Sequence, residues 1–398
     1  MALPLEATVE NAGPSRQLLF YTLVLVAFLA ASGVPTPLYP LYQASWHFST
    51  PMLTLAFALY MFTLLLALLT TGKLSEYMGR RPVIFIGLAI EIASMLCFLV
   101  AHDLTILLVA RALQGLATGI ATSALGAAII DTDHRRGPIL ASVAPLVGMG
   151  LGALCSGVLV DLAPYPMRLG FILMTAIFIW QLIGLRGTRE SVSPRFGALA
   201  SLRPTARIPA PVRPTFLRVI PACIASWSLG GFSLSLGPLL ARQVSGIDTS
   251  MIGGAMVSLL SMMGAVGVWR LRRQATRRIL LLSSLLLPLG VSIVLLGVAT
   301  HSTLTLLIGF AIAGPGFGGG FMGAMRAIMA LAPDGGRASL MAVLYVVSYL
   351  SASLPAMVAG IATQHFGLEP TVYGYGAYVI GLSLMALVGM LSQRQATE

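Results

Sequence analysis

The sequence predicts an all-α integral membrane protein with twelve transmembrane helices, arranged as two pseudo-symmetric six-helix bundles. Three observations carry this reading. Only 9% of the residues are charged and 57% are hydrophobic, with a mean hydropathy of +0.90; a soluble domain holds about 25% charged residues. The apolar runs are continuous and near 20 residues long, the length a helix needs to cross about 30 Å of hydrocarbon. Barrel strands would be shorter and would alternate. Finally, the basic residues collect in every second loop, as the positive-inside rule demands of cytoplasmic loops.

The net charge of +11 would suggest a nucleic-acid partner in a soluble protein. Here topology accounts for the arginines, and no nucleic acid is expected. Cys97, Cys155 and Cys223 all lie in apolar runs, where they act as small hydrophobes rather than a disulfide framework. Residues 1–17 are polar, with Glu6, Glu10 and Pro14, and lack the basic start of a signal peptide. They read as a disordered cytoplasmic tail.

The first six spans fall at about 18–42, 51–71, 82–101, 104–130, 138–160 and 167–186. The second six fall at about 219–241, 250–269, 279–299, 304–330, 339–362 and 371–392. Between the sets lies a basic, proline-rich segment, 187–218, where missing donors disfavour helix. The domains are therefore an N-terminal bundle over 18–186, a cytoplasmic linker over 187–218, a C-terminal bundle over 219–392 and a short tail over 393–398. With both termini cytoplasmic, every Lys and Arg faces the cytoplasm except Arg111, Arg168 and Arg242. Each half has a basic turn after its second span and a glycine-rich fourth span carrying an arginine. Paired halves with a midplane interface are the plan of many secondary transporters.

The turn Gly72-Lys73-Leu74-Ser75-Glu76-Tyr77-Met78-Gly79-Arg80-Arg81-Pro82 carries one acid and three bases in eleven residues between two spans. Gly72 and Gly79 allow a sharp backbone turn, and Pro82 suits the first turn of the third span. This stretch resembles the signature of the major facilitator superfamily, Gly-x-Leu-(Ala/Ser)-Asp-Arg-x-Gly-Arg-Arg. Gly72, Leu74, Ser75, Gly79, Arg80 and Arg81 match, while Glu76 and Tyr77 replace the usual aspartate and arginine. Arg111-Ala112-Leu113-Gln114-Gly115 resembles the family's Arg-x-x-Gln-Gly element. Ala144-Pro145-Leu146-Val147-Gly148-Met149-Gly150 partly resembles a fifth-helix element of exporters, with Pro145 and Gly148 in place. The length, span count and central linker are similar to the family's twelve-helix drug and small-molecule proton antiporters.

The resemblance implies a gate on the cytoplasmic side. Glu76 would approach the start of the eleventh span, near its helix dipole, and a Glu76–Arg80–Asp131 cluster would latch the halves. Lys73 and Arg81 read as solvated loop charges. Ionisable residues inside a bilayer are costly and mark function. Arg111 lies roughly 11 Å deep, and Glu91, near mid-depth in the third span, is close enough in depth to pair with it. By elimination Glu91 is the proton-coupling candidate, with a structural partnership to Arg111 as the alternative. In the family fold, Arg111, Gln114, Trp227, Ser233, Tyr345 and Tyr349 become cavity candidates. A cavity with few fixed charges favours an uncharged, amphipathic or weakly anionic substrate.

Gly314-Pro315-Gly316-Phe317-Gly318-Gly319-Gly320 lacks the Lys-Ser/Thr ending of a phosphate loop and reads as a close-packing bend. Asp131-Thr132-Asp133-His134 has no second ligand cluster, so no metal site is expected. No catalytic constellation appears, which argues against an enzyme. The expectation is a monomeric secondary transporter in a bacterial inner membrane, driven by the proton gradient without a cofactor and exporting a small organic molecule. Uptake of a sugar, amino acid or organic acid, and a non-transporting receptor, are the alternatives.

Overall fold

A computed structural model describes residues 14–202, 206–333 and 336–392. The predicted segments 1–13 and 393–398 lie outside them. Among the described residues, twelve helices are long and apolar enough to span a membrane. The first half holds α1 (Pro14–Gly33), α2 (Thr50–Thr71), α3 (Arg80–Val100), α4 (Leu104–Thr132), α5 (Gly137–Leu162) and α6 (Leu169–Gly184). The second holds α7 (Arg213–Ser235), α8 (Ser250–Leu271), α9 (Thr276–Ala299), α10 (Thr303–Met329), α11 (Arg337–Phe366) and α12 (Leu368–Leu391). With twelve crossings, the two ends and the linker after α6 share one face, here the linker face. The other is the opposite face.

Several boundaries differ from expectation, for local reasons. Residues 14–17, assigned to a tail, form the first turn of α1; the Gln17 amide donates to the Arg189 carbonyl at 3.0 Å. The first span does not run to residue 42. It stops at Gly33, because Pro35 and Pro37 each remove a donor, and a separate helix follows over Tyr39–Trp46. The seventh span breaks in the same way: α7 ends at Ser235 and Gly237–Ser245 starts afresh with Pro238 in its first turn. This shared break is a structural trace of the repeat. α7 also begins six residues early, at Arg213, so the linker is shorter than 187–218. Among its described residues, Ala198–Ser201 and the 3-10 turns Leu185–Gly187 and Ala210–Val212 are helical. α10 runs unbroken through Pro315.

Each half has its own core, with Phe28, Phe98, Phe171 and Phe178 in the first and Phe232, Met256, Leu287 and Phe310 in the second. The halves meet through α2 and α5 on one side and α8 and α11 on the other. Phe57, Tyr60, Met61 and Leu64 of α2 pack with Ala153, Val257, Ala352 and Ala356. Glycines also set close helix approaches within each half. A Cβ at Gly152 would collide with the Ala30 carbonyl of α1, and one at Gly267 would lie 2.6 Å from Pro315 Cα. Such small residues replace the hydrophobic driving force that lipid does not supply. Where Pro355 frees the Ser351 carbonyl of α11, the Ser228 hydroxyl of α7 donates to it at 3.0 Å.

Candidate functional site

Two polar sites stand out in the first half. At the linker face, Gly79 adopts φ +96°, a conformation that favours glycine, between the short helix Ser75–Met78 and α3. Arg80 Nε donates to Asp131 Oδ2 at 3.0 Å and its Nη1 to the Ser75 hydroxyl at 2.7 Å. Asp131 Oδ2 also accepts from the Ser191 hydroxyl at 2.9 Å. This pair ties α3 to α4, inside one half.

Glu76 is not part of that cluster. It lies on the exposed side of its short helix, with Arg195 Nη2 at 3.7 Å; the Arg195 guanidinium stacks over the Tyr77 ring. No partner of Glu76 belongs to α11 among the described residues, and the Ser339 hydroxyl near the start of α11 accepts instead from the Arg207 amide at 2.7 Å. The carboxylate that does cap a helix here is Glu190. Its two oxygens accept from the Arg80 and Arg81 amides at 2.7 and 2.9 Å. These are orphan donors at the positive end of α3, and their capping explains why α3 starts at Arg80 rather than Pro82. Glu190 is the lone acid in the basic linker, which was the signal available in the sequence. Arg81 adds a contact to the Arg186 carbonyl at 3.2 Å. Gly72 continues α2 in helical geometry, and Lys73 is exposed.

The second site is buried. Arg111 is 1% exposed and Glu91 and Gln114 are fully covered. Arg111 and Glu91 do not form the direct ion pair that their depths suggested; Gln114 stands between them. Its Oε1 accepts from Arg111 Nη1 at 2.7 Å, while its Nε2 donates to the Ala31 carbonyl at 3.0 Å and reaches Glu91 Oε1 at 3.4 Å. Arg111 Nη2 donates to the Tyr39 hydroxyl, and the guanidinium lies 5.2–5.9 Å from the ring centres of Tyr39, Tyr60 and Phe98. Aromatic faces compensate part of the cost of desolvating a cation. Tyr60 extends the network by donating to Ser32 at 2.8 Å. Glu91 Oε2 and Arg111 Nε have no partner among the described residues. Arg111 and Gln114 therefore sit inside the first bundle and do not line an open cavity. Sequence reasoning does not find these partners: Tyr39 reaches Arg111 from beyond the break after α1, and Ser32 contributes its backbone carbonyl, 3.4 Å from Arg111 Nη1, from the last turn of α1.

The remaining candidates lie in the second half. Ser233 is also fully buried, with its hydroxyl unpartnered. Trp227, Tyr345 and Tyr349 do come together. Trp227 is 4.9 Å from Tyr349 and 5.5 Å from Phe321, centre to centre, and Tyr345 is 6.3 Å from Tyr349. Trp227 and Tyr349 also pack against the seam core of α2 and α11, so this aromatic group borders the junction of the halves. In α5, Gly148 lies against the Val26 carbonyl of α1, and Pro145 sits inside the helix. The described residues contain no group of three metal-type ligands.

Two six-helix halves that meet along a shared seam are the plan of many secondary transporters. The family model of the Major Facilitator Superfamily matches residues 21–356, and the chain belongs to that family. It is 28% identical over 365 residues to multidrug resistance protein MdtL of Klebsiella pneumoniae (strain 342), covering 86% of this chain and 83% of the relative. MdtL of Salmonella paratyphi B is 27% identical over 320 residues, 76% of each chain. Among solved structures, an inward-facing bacterial homolog of the human lysosomal transporter Spinster superposes with a TM-score of 0.70 at 15% identity, over 95% of this chain and 97% of that one. A peptide transporter POT in complex with alafosfalin gives 0.71 at 17% identity, covering 96% of each. These structural likenesses concern the fold.

Proposed function

We propose that this transporter exports small, largely apolar organic molecules by alternating access, driven by proton entry. The observation that carries the reading is the aromatic group Trp227, Phe321, Tyr345 and Tyr349 at the seam, with no Asp, Glu, Lys or Arg in it. Such a surface suits flat, uncharged, amphipathic or weakly anionic compounds, since rings stack on rings. The relatives named as multidrug resistance proteins support the same direction of transport. Glu91 is the proposed proton carrier: it is a fully buried carboxylate with one oxygen unpartnered, and proton exchange at such a group changes the charge facing Arg111 through Gln114. The protein would act as a monomer in a bacterial inner membrane, with both ends in the cytoplasm and the lipid bilayer as its surroundings. No cofactor is required.

Everted vesicles carrying a pH-sensitive dye test direction, coupling and substrate together. Adding a transported compound should partly dissipate an imposed proton gradient. Glu91→Gln should abolish that response while leaving compound binding intact. Coupled export is overturned if aromatic, amphipathic and weakly acidic compounds all leave the gradient untouched. If coupling persists in Glu91→Gln, the proton carrier is another residue.

A further inference from the structure

We infer that Asp161 is a latch that holds the two halves together on the opposite face; its release as a step of the cycle rests on the transport reading above. Asp161 is in the last turn of α5, in the first half. Its carboxylate accepts from the Ser250 amide at 2.9 Å, from the Met251 amide at 2.9 Å and from the Thr249 hydroxyl. All three donors belong to the start of α8, in the second half. The first amides of a helix have no partner within it and carry its positive dipole end. α8 therefore completes its cap with a side chain from the other half.

The contrast with neighbouring caps shows why this one is different. On the same face Asp103 caps α4 through the Ile106 amide at 2.9 Å, within one half, and Ser302 caps α10 through the Thr305 amide at 3.3 Å, also within one half. Among the described residues Asp161 is the acid whose cap joins the bundles. The Arg80–Asp131 pair, by comparison, joins two helices that move as one body.

The chemistry suits a contact that opens and closes. Among the described residues Asp161 has no arginine partner: Arg242, beside it, is engaged by Asp248 at 3.0 Å and reaches the Ser250 hydroxyl at 3.4 Å. Asp161 thus binds neutral dipoles, and parting leaves no cation stranded. Its side chain is already exposed, so water replaces the lost donors. A cleft of about 370 Å³, lined by Leu41, Val160, Asp161, Arg242, Asp248 and Thr249 among others, brings solvent to the contact. Below it the seam is smooth. A Cβ at Gly157 would lie 2.8 Å from the Ser250 carbonyl, and one at Gly254 would strike the Ala153 carbonyl. α5 and α8 touch there backbone to backbone.

The test uses the full chain without its native cysteines, carrying Leu41→Cys in the cleft. The labelling rate with a membrane-impermeant maleimide reports how often this face opens. Asp161→Ala should raise the rate about 2- to 30-fold, the range that loss of a helix cap gives. Asp161→Asn, which keeps one acceptor, should raise it less and serves if the alanine variant does not fold. Asp103→Ala should leave it unchanged. The latch is overturned if neither Asp161 variant labels faster, or if Asp103→Ala labels as fast as they do. Faster labelling in a protein that moves no compound would overturn the transport reading and leave the latch standing.

Discussion

At the residue scale, carboxylates decide the geometry at the edges of the bundle, and the informative ones are those bound to backbone amides. Glu190 holds the linker against the start of α3 through two amides, and Gly79 makes room for it: a Cβ there would lie 2.7 Å from Glu190 Oε2. Replacing Glu190 by Ala should cost about 1 kcal/mol, as caps do, and Glu190→Gln should recover part of it. Thermal unfolding of the detergent-solubilised protein measures both; equal melting for all three proteins would remove Glu190 from the cap. Gly79→Ala should be the harsher change, because it adds backbone strain to the clash. The sequence showed that an acid belongs at this turn, and the family signature pointed to Glu76. It could not show that the acid arrives from residue 190, more than a hundred positions away. Contacts of that range depend on how the chain returns after α6. Arg111 and Gln114 were legible as buried polar residues from their place in a span, whereas the bridging role of Gln114 depends on rotamers set by Tyr39 and the Ala31 carbonyl.

At the scale of the element, the existence of the twelve spanning helices was legible, since a 20-residue apolar run has few alternatives in a membrane, whereas the short helices Tyr39–Trp46 and Gly237–Ser245 were not. Helix ends were less so. They depend on caps supplied from elsewhere, as at Arg80, or on proline breaks such as Pro35 and Pro238, where an apolar run continues though the helix does not. The glycines divide into two kinds that composition alone cannot separate. Gly152 of α5 lies against the Ala30 carbonyl of α1, while Gly374 of α12 has nothing within 4 Å of an added Cβ. Gly152→Ala should push α1 and α5 apart and destabilise the protein by about 1–3 kcal/mol, as overpacking does. Gly374→Ala should be neutral or slightly stabilising, because alanine favours helix over glycine. Melting temperatures of the two variants check this, and a Gly152→Ala protein as stable as Gly374→Ala would mean that the α1–α5 contact yields freely.

At the scale of the whole molecule, the two-fold plan was legible in repeated basic turns, and the structure adds the shared break after α1 and α7. The halves nevertheless differ in how they balance charge. In the first, Arg80 of the α2–α3 turn pairs with Asp131, the Arg80 and Arg81 amides donate to Glu190, and Glu76 of that turn faces Arg195 of the linker. In the second, Arg270, Arg272, Arg273, Arg277 and Arg278 at the α8–α9 turn have no carboxylate partner among the described residues. Two of them instead flank the exposed Trp269 ring, with Arg272 at 4.5 Å and Arg270 at 5.7 Å from its centre. A tryptophan beneath unpaired arginines suits a membrane–water boundary facing the cytoplasm. The even number of spans puts this turn on the same face as the linker, so one orientation must hold for both. In a cysteine-free background, Ala206→Cys in the linker and Gln243→Cys beyond α7 fall on opposite faces. An impermeant thiol reagent added to intact cells should label Gln243→Cys and spare Ala206→Cys until the membrane is opened. The reverse pattern would place the basic face outside, against the charge rule that orients the chain. It would also turn Asp161 toward the cytoplasm, so this one measurement fixes which side of the membrane each end of the seam meets.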